Sequence, residues 1–154
     1  MSDQTVTIDY ANSLIYELQK AFWDERGKGA RFRTTKVGNQ YFEEKVRPLL
    51  QSTEIEDIIE KIGGVLQGEG IAANVSYSRE ERLLKIGIKG CIHRPVEERM
   101  VAKGIEPFTC VPANLIVLAI EEKLDVPVEL AEIKVEEGTC QLLLVVFEKR
   151  PSLD

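Results

Sequence analysis

The spacing of the apolar residues changes near residue 70, and this change constrains the fold more than any other feature of the chain. Before it, apolar residues recur every three or four positions, which predicts amphipathic helices. The first predicted helix is capped by Asp9 and carries Leu14 and Leu18. A second is expected from about Thr35, and a third buries residues such as Ile58. The N-terminal half is therefore predicted to be helical.

After residue 70 the apolar residues alternate with polar ones, which predicts strands. Residues 71–77 and 84–88 read as an antiparallel hairpin with one wet face. Residues 126–130 and 140–148 read as a second strand pair. The last segment is apolar at nearly every position, so we expect a central strand that is covered on both faces.

A short helix beginning near Pro95 and a buried helix beginning at Pro112 separate the two strand pairs. Helices grouped beside strands predict an α+β fold, with an antiparallel sheet of about four strands packed against the N-terminal helices and the Pro112 helix. We expect one domain over residues 1–154, with a helical half at 1–70 and a sheet half at 71–150.

The charge and the hydrophobicity of the chain exclude several classes of function. The net charge of −6 argues against a nucleic-acid partner, because phosphate contacts need a basic surface. No apolar stretch approaches the ~20 residues of a membrane-spanning helix. The first residues have neither a basic region nor an apolar core typical of a signal peptide, so we expect a cytoplasmic protein without membrane insertion.

The single histidine and all three cysteines lie within fifty residues of one another, at Cys91, His93, Cys110 and Cys140. Thiolates and a neutral imidazole are the ligands of closed tetrahedral zinc sites, so zinc is one interpretation of this group. The alternative is a set of buried thiols and a surface imidazole, because the spacing is not that of a zinc finger.

Cys110 also allows a catalytic interpretation. It lies directly before the N-terminus of the Pro112 helix, where the helix dipole favours a thiolate. With His93 as a base it would be a nucleophile. We prefer a buried or metal-bound thiol, because no Cys-His family signature surrounds these residues.

The loop of the last hairpin decides which side chains share a face of the sheet. A two-residue loop would place Val128 and Leu130 opposite the buried face of the final strand, whereas a three-residue loop at 136–138 places them on it. Burial favours the longer loop, so we predict that Glu132 and Cys140 lie on the same face.

The segment Cys110-Val111-Pro112-Ala113-Asn114, the apolar helix that follows it, Glu132, and the turn Gly138-Thr139-Cys140 resemble the 4-vinyl reductase, or hydrocarbon-binding, domain family. The match covers roughly residues 84–148. The resemblance implies an α+β domain with a hydrophobic pocket between helices and sheet, a hydrophobic small molecule as ligand, and dimerisation.

In metal-containing members the resemblance implies zinc bound by positions equivalent to Cys110, Glu132 and Cys140, and by a further cysteine. Val135 stands at the position of that fourth ligand. The resemblance therefore requires Cys91 or His93 as a replacement.

Three functions follow from these observations. We favour a cytoplasmic binding or sensor domain, forming a homodimer, that holds a hydrophobic small molecule beneath the Pro112 helix beside a structural zinc. The second is a reductase or a thiol-dependent enzyme using Cys110, although no Gly-x-Gly-x-x-Gly dinucleotide motif is present. The third is a ligand-free scaffold or assembly subunit.

Overall fold

A computed structural model describes residues 5–30, 34 and 36–148 of the chain. Five helices and four strands occur in this part of the chain. They are α1 (Ile8–Arg26), α2 (Asn39–Tyr41), α3 (Ile55–Gly68), β1 (Asn74–Glu80), β2 (Leu83–Lys89), α4 (Arg94–Ala102), α5 (Val111–Leu124), β3 (Val128–Glu136) and β4 (Thr139–Val146). The fold is α+β with a four-stranded antiparallel sheet, as the sequence predicts.

Helix α1 begins earlier than predicted. Its N-cap is Thr7, whose hydroxyl accepts a hydrogen bond from the backbone N–H of Tyr10 at 3.2 Å, so the expected cap at Asp9 is wrong. The helix ends where Gly27 takes a φ of 57°, which a glycine adopts without steric cost.

The second predicted helix is interrupted. Helix α2 has a single turn and continues as a π-helical turn over Phe42–Val46 and a 3₁₀ turn over Arg47–Leu49, which contains Pro48. The apolar residues expected on one side of this helix are only partly buried together. Phe42, Val46 and Leu50 lie in the core, whereas Leu49 is 44% exposed. The expected start at Thr35 lies outside the described residues.

The four strands are ordered β1-β2-β4-β3. The antiparallel hairpin β1-β2 and the hairpin β3-β4 are joined through the pairing of β2 with β4, in which Ile86 lies opposite Leu142 and Ile88 opposite Cys140. The prediction that the last strand is central is confirmed, because β4 has a neighbour on each side.

The last hairpin differs from the prediction. Val135 lies opposite Cys140, so the loop has two residues, Glu137 and Gly138. A β-bulge between Leu130 and Glu132 makes Ala131 an extra residue, and this restores Leu130 to the buried face opposite Leu144.

Because the loop has two residues, the prediction that Glu132 and Cys140 share a face is wrong. Glu132 pairs with Leu143, whose side chain lies on the opposite face of the sheet from those of Cys140 and Leu142. Its side chain is 52% exposed and lies 3.9 Å from the Lys134 ammonium.

One face of the sheet is buried and the other is open in the described residues. Leu142 and Leu144 are buried, whereas Gln141 is exposed and Leu143 and Val145 are half-buried. The prediction that β4 is covered on both faces is therefore wrong within the part of the chain that the structure describes.

The helical half and the sheet half share one core. Its buried residues come from α3, α5 and the strands, and they include all three cysteines. A smaller cluster around Met100 and Phe108 packs against Trp23 of α1, whose ring stacks on Phe108 with centroids 5.8 Å apart. None of the described helices has the length and apolar character that a bilayer crossing requires.

Candidate functional site

The three cysteines are brought together by the ends of three elements. Cys91 follows β2, Cys110 is the N-cap residue of α5, and Cys140 is the second residue of β4. They are 7%, 5% and 1% exposed, and none of them forms a disulfide. Strand pairing explains part of this convergence, because Cys140 lies opposite Ile88 near the end of β2 that leads to Cys91.

A glutamate that the sequence analysis did not single out completes the group. Glu97 lies on α4, is 4% exposed, and accepts a hydrogen bond from the Cys140 thiol, with 2.7 Å between Sγ and Oε2. In sequence it reads as one of two exposed acids, Glu97 and Glu98. The available signal was helical spacing, because Glu97 stands beside Val96 and three residues before Met100, which are both buried.

Electrostatic effects show that these four side chains act on one another. Burial, and then the charge of Glu97, raise the pKa of the Cys110 thiol well above its ordinary value, with smaller effects from Cys91 and Cys140. Burial is also the main cause of the raised pKa of Cys91 and of Cys140, and Glu97 adds to both. We call Cys91, Cys110, Cys140 and Glu97 the thiol–carboxyl cluster.

The carboxyl group of Glu97 is itself perturbed. Burial raises its pKa from 4.5 to about 7, against the opposing effect of the Cys140 hydrogen bond. At neutral pH the cluster therefore holds protonated thiols and a partly protonated carboxyl group.

His93 is half-buried at the edge of this cluster, and its orientation is set by α1. Its Nδ1 lies 3.0 Å from Oδ1 of Asn12, and the Nδ2 of Asn12 donates to the carbonyl of Ile92 at 2.7 Å. Because the Asn12 amide donates to that carbonyl, its oxygen accepts from His93, which places the proton on Nδ1. Burial lowers the pKa of His93, so the ring is neutral with an unprotonated Nε2.

The structure separates the predicted metal ligands into two groups. Cys91, Cys110 and Cys140 share the buried cluster with Glu97, and the backbone N–H of His93 donates to the Cys91 sulfur at 3.4 Å. Glu132 lies on the opposite face of the sheet, exposed to solvent. Of the residues implied by the family resemblance, Glu132 is the one that this cluster does not contain.

The donor types of the cluster fit zinc, which prefers thiolate, imidazole and carboxylate ligands. Within residues 5–30, 34 and 36–148, no group of three or more His, Cys, Asp or Glu side chains is arranged to hold a metal ion. In this arrangement the thiols are protonated, and the Cys140 thiol donates a hydrogen bond to Glu97.

The catalytic interpretation of Cys110 meets an electrostatic obstacle. The residue does precede the N-terminus of a helix, as predicted. Burial, and then the charge of Glu97, nevertheless raise the pKa of its thiol well above the ordinary value. A thiol in this environment is a poor nucleophile at neutral pH.

The space beneath the Pro112 helix, where a ligand pocket is predicted, is filled by side chains. Leu115, Ile116, Ala119 and Ile120 of α5 have no exposed surface. An open groove of about 900 Å³ lies elsewhere, between α3 and the turn that follows α2. Its apolar lining residues are Leu49, Leu50, Ile58 and Val65.

No protein-family model matches this chain, and no curated protein matches it. The resemblance to the 4-vinyl reductase family therefore stays a prediction. The site has to be interpreted from its own chemistry.

Proposed function

We propose that this chain is a small binding domain whose thiol–carboxyl cluster holds a structural zinc ion. The observation that carries the proposal is the convergence of three buried cysteines, from the ends of β2, α5 and β4, on one buried carboxyl group. Three thiols and a carboxylate complete a tetrahedral ligand set for zinc. Glu97 then has the role that the resemblance gives to Glu132.

His93 is the alternative fourth ligand. Its hydrogen bond to Asn12 leaves Nε2 as the nitrogen that can bind a metal, and a partner on the other nitrogen is typical of metal-binding histidines. Glu97 is preferred because it contacts the Cys140 sulfur directly.

Zinc would supply folding free energy by joining the end of β2, α4, the start of α5 and β4. The residues of the chain contribute by releasing protons, because the thiols are protonated in the metal-free form and must bind as thiolates. Affinity for zinc is therefore expected to rise steeply with pH.

The test compares two glutamates by elemental analysis of protein expressed without added metal. We expect about one zinc per chain in the wild type and in Glu132→Gln, and a loss of zinc in Glu97→Gln and Cys140→Ser. Glu132→Gln is the matched control, because it removes the same charge on the other face of the sheet.

Two results contradict this proposal. A metal-free wild type would remove zinc altogether. Fast labelling of Cys110 by iodoacetamide would then favour the thiol enzyme, and inert thiols would favour the scaffold. Loss of zinc in Glu132→Gln alone would show that Glu132, and not Glu97, is the zinc ligand, as the resemblance implies.

We also propose that the domain binds a hydrophobic small molecule, in the groove beside α3. The groove has a volume of about 900 Å³, within the size range of ligand pockets, and its lining includes Ile58 and Val65 among polar and charged residues. Anilinonaphthalene sulfonate, whose fluorescence rises in apolar sites, tests this. We expect binding that Val65→Trp blocks by filling the groove, and equal binding by both proteins would contradict this location.

The third part of the proposal is a cytoplasmic homodimer. Two surfaces offer apolar contact area. One is the stripe of Tyr10, Leu14 and Leu18 on α1, which are 58%, 44% and 72% exposed. The other is the open face of the sheet. Sedimentation of the full chain over a range of concentrations tests self-association, and a monomer at every concentration would contradict it.

A further inference from the structure

The open face of the sheet has an apolar centre between two charged margins. Leu143 and Val145 of β4 lie at the centre with Leu83 of β2, which is 39% exposed. On this face β2 contributes Lys85 and Lys89, which are both exposed.

The strand on the other side of β4 carries the opposite charge. Strand β3 contributes Glu129, Glu132 and Glu136 to the open face, with Lys134 as its one basic residue there. The face is therefore basic along β2 and mainly acidic along β3. Between them, β4 is apolar at Leu143 and Val145 and polar at Thr139 and Gln141.

The register places opposite charges in the same rows across the sheet. Lys85 and Glu132 both pair with Leu143, and Lys89 and Glu136 both pair with Thr139. Each row thus has a lysine on one side of β4 and a glutamate on the other.

We infer that this face binds a second copy of the chain, through a two-fold axis parallel to β4. With such an axis, β4 of one copy packs on β4 of the other, and β2 packs on β3. Each row of paired residues then faces the same row of the other copy. Lys85 then meets Glu132 of the other copy, Lys89 meets Glu136, and Leu143 packs on its counterpart. Stacked sheets about 10 Å apart leave room for these contacts.

The remaining rows are compatible with this pairing. Gln141 is flanked by Gly87 and Lys134, and Val145 by Leu83 and Glu129. The same axis brings Lys134 over Gly87, between Lys85 and Lys89, and Glu129 over Leu83, beside Glu80 of β1. No charged residue then lies directly on one of like sign.

The stripe on α1 is less suited to a symmetric contact. Glu17 and Glu25 are exposed and follow Leu14 and Leu18 by three and seven positions, on the same side of the helix. A two-fold pairing of α1 helices would bring these acidic residues of both copies close together.

The size of the face indicates a weak dimer. Three overlapping strands spaced about 4.8 Å apart, each with about seven residues, cover roughly 350 Å² on each copy, which is below the range of stable specific interfaces. We therefore expect dissociation in the micromolar range and a sensitivity to salt.

The experiment is a charge swap measured by sedimentation of the full chain. Lys85→Glu and Glu132→Lys each place like charges together twice in the symmetric dimer, and each is expected to weaken self-association about tenfold. Mixed together, the two variants have opposite charges at both contacts, so the mixture is expected to associate about as tightly as the wild type.

Two further variants separate this interface from α1. Leu143→Lys is expected to give a monomer, and Leu18→Lys, on the α1 stripe, to leave the dimer intact, with circular dichroism confirming that both are folded. A dimer that survives Leu143→Lys, or a mixture that does not associate, would overturn the inference.

This inference rests on the homodimer proposed above, and the two fail differently. A dimer lost only in Leu18→Lys would keep the homodimer and move its interface to α1. A wild type that is monomeric at every concentration would overturn both.

Discussion

Glu97 is a carboxyl group held among thiols in the core, and burial of this kind disfavours its charged form. Its pKa of about 7 means that folding requires the group to hold a proton at a pH where the unfolded chain has released it. A bound zinc would remove this cost by accepting the carboxylate as a ligand. The same residue therefore destabilises the metal-free protein and supports the metal-bound one.

The metal-free protein is expected to lose stability between about pH 4.5 and pH 7 because of Glu97. Below this range both states are protonated, and within it only the unfolded state releases the proton, so the free energy of unfolding falls as pH rises. A shift from 4.5 to about 7 corresponds to roughly 3 kcal/mol.

Urea unfolding in the presence of a chelator, at several pH values, measures this effect. Glu97→Gln stays neutral throughout, so its stability should lack the contribution, and the difference between the two proteins isolates Glu97 from the other carboxyl groups. Parallel curves for wild type and variant would show that Glu97 does not titrate as described.

Asn12 offers a second test at the scale of one residue. It is 1% exposed and joins α1 to the segment that carries His93, through bonds to Ile92 and His93. Asn12→Ala leaves a buried carbonyl and an imidazole N–H without these partners, which is expected to cost about 2 kcal/mol. Urea unfolding measures it, with the exposed Glu17→Ala as control, and an equal effect of both substitutions would contradict this role.

The β-bulge in β3 determines which side chains of that strand face the core. Without it, the two-residue loop of the hairpin would turn Val128 and Leu130 outward. Ala131 is the extra residue that corrects the phase. The sequence analysis predicted correctly that Val128 and Leu130 face the core. It explained this by a three-residue loop, whereas the bulge is the actual cause.

Deletion of Ala131 is therefore expected to be tolerated. Leu130 would then precede Glu132 directly and still pair with Leu144, so the stability should change by about 1 kcal/mol or less. Deletion of Lys134, a regular residue of the strand, shifts the phase of Ile133 and of the residues before it, and should cost about 3 kcal/mol or more.

Urea unfolding of the two deletion variants distinguishes these cases. Similar losses of stability for both would contradict the position of the bulge. A larger loss on deletion of Ala131 would indicate the three-residue loop that the sequence favoured.

At the scale of the whole molecule, the thiol–carboxyl cluster is the point where the sheet, α4 and α5 meet. Removal of the proposed zinc would therefore destabilise the entire fold and not one element. At a zinc concentration about a thousand times the dissociation constant, the proposed metal would add roughly 4 kcal/mol to the free energy of unfolding.

Thermal unfolding with and without a chelator tests this expectation. The melting temperature of the wild type should fall when the chelator is added, whereas that of Glu97→Gln should barely change. A wild type that is indifferent to the chelator would contradict a structural metal.

The elements were predictable because each depends on residues near in sequence. The structure agrees with several local sequence signals. These are the helical spacing around Ile58, the alternation of apolar Leu84 and Ile86 with polar residues, and the prolines at two helix starts, Pro95 and Pro112. The failures also have local causes. Thr7 displaced Asp9 as a cap, and a π-helical turn interrupted the second helix, within one turn of the predicted positions.

The candidate site was predictable only in part. The cysteines were singled out as candidate ligands because few residue types have their chemistry, and all three lie in the main core. Glu97 was missed because it reads in sequence as one of two exposed acids, although its spacing to Val96 and Met100 indicated burial. Glu132 was placed on the face of Cys140 because its face depends on the length of the hairpin loop, which the sequence did not determine.

Periodicity, proline positions and residue chemistry thus determine the fold class, the order of elements and the identity of the thiols, because these depend on contacts within a few residues of chain. The partners of the thiols, the face on which each acid lies and the uncovered side of the sheet depend on how distant segments pack. Register and burial depend on many residues at once. One inserted residue in β3 reverses the faces of the residues before it. The carboxyl group of Glu97 becomes part of the core only when α4 packs on the start of β4.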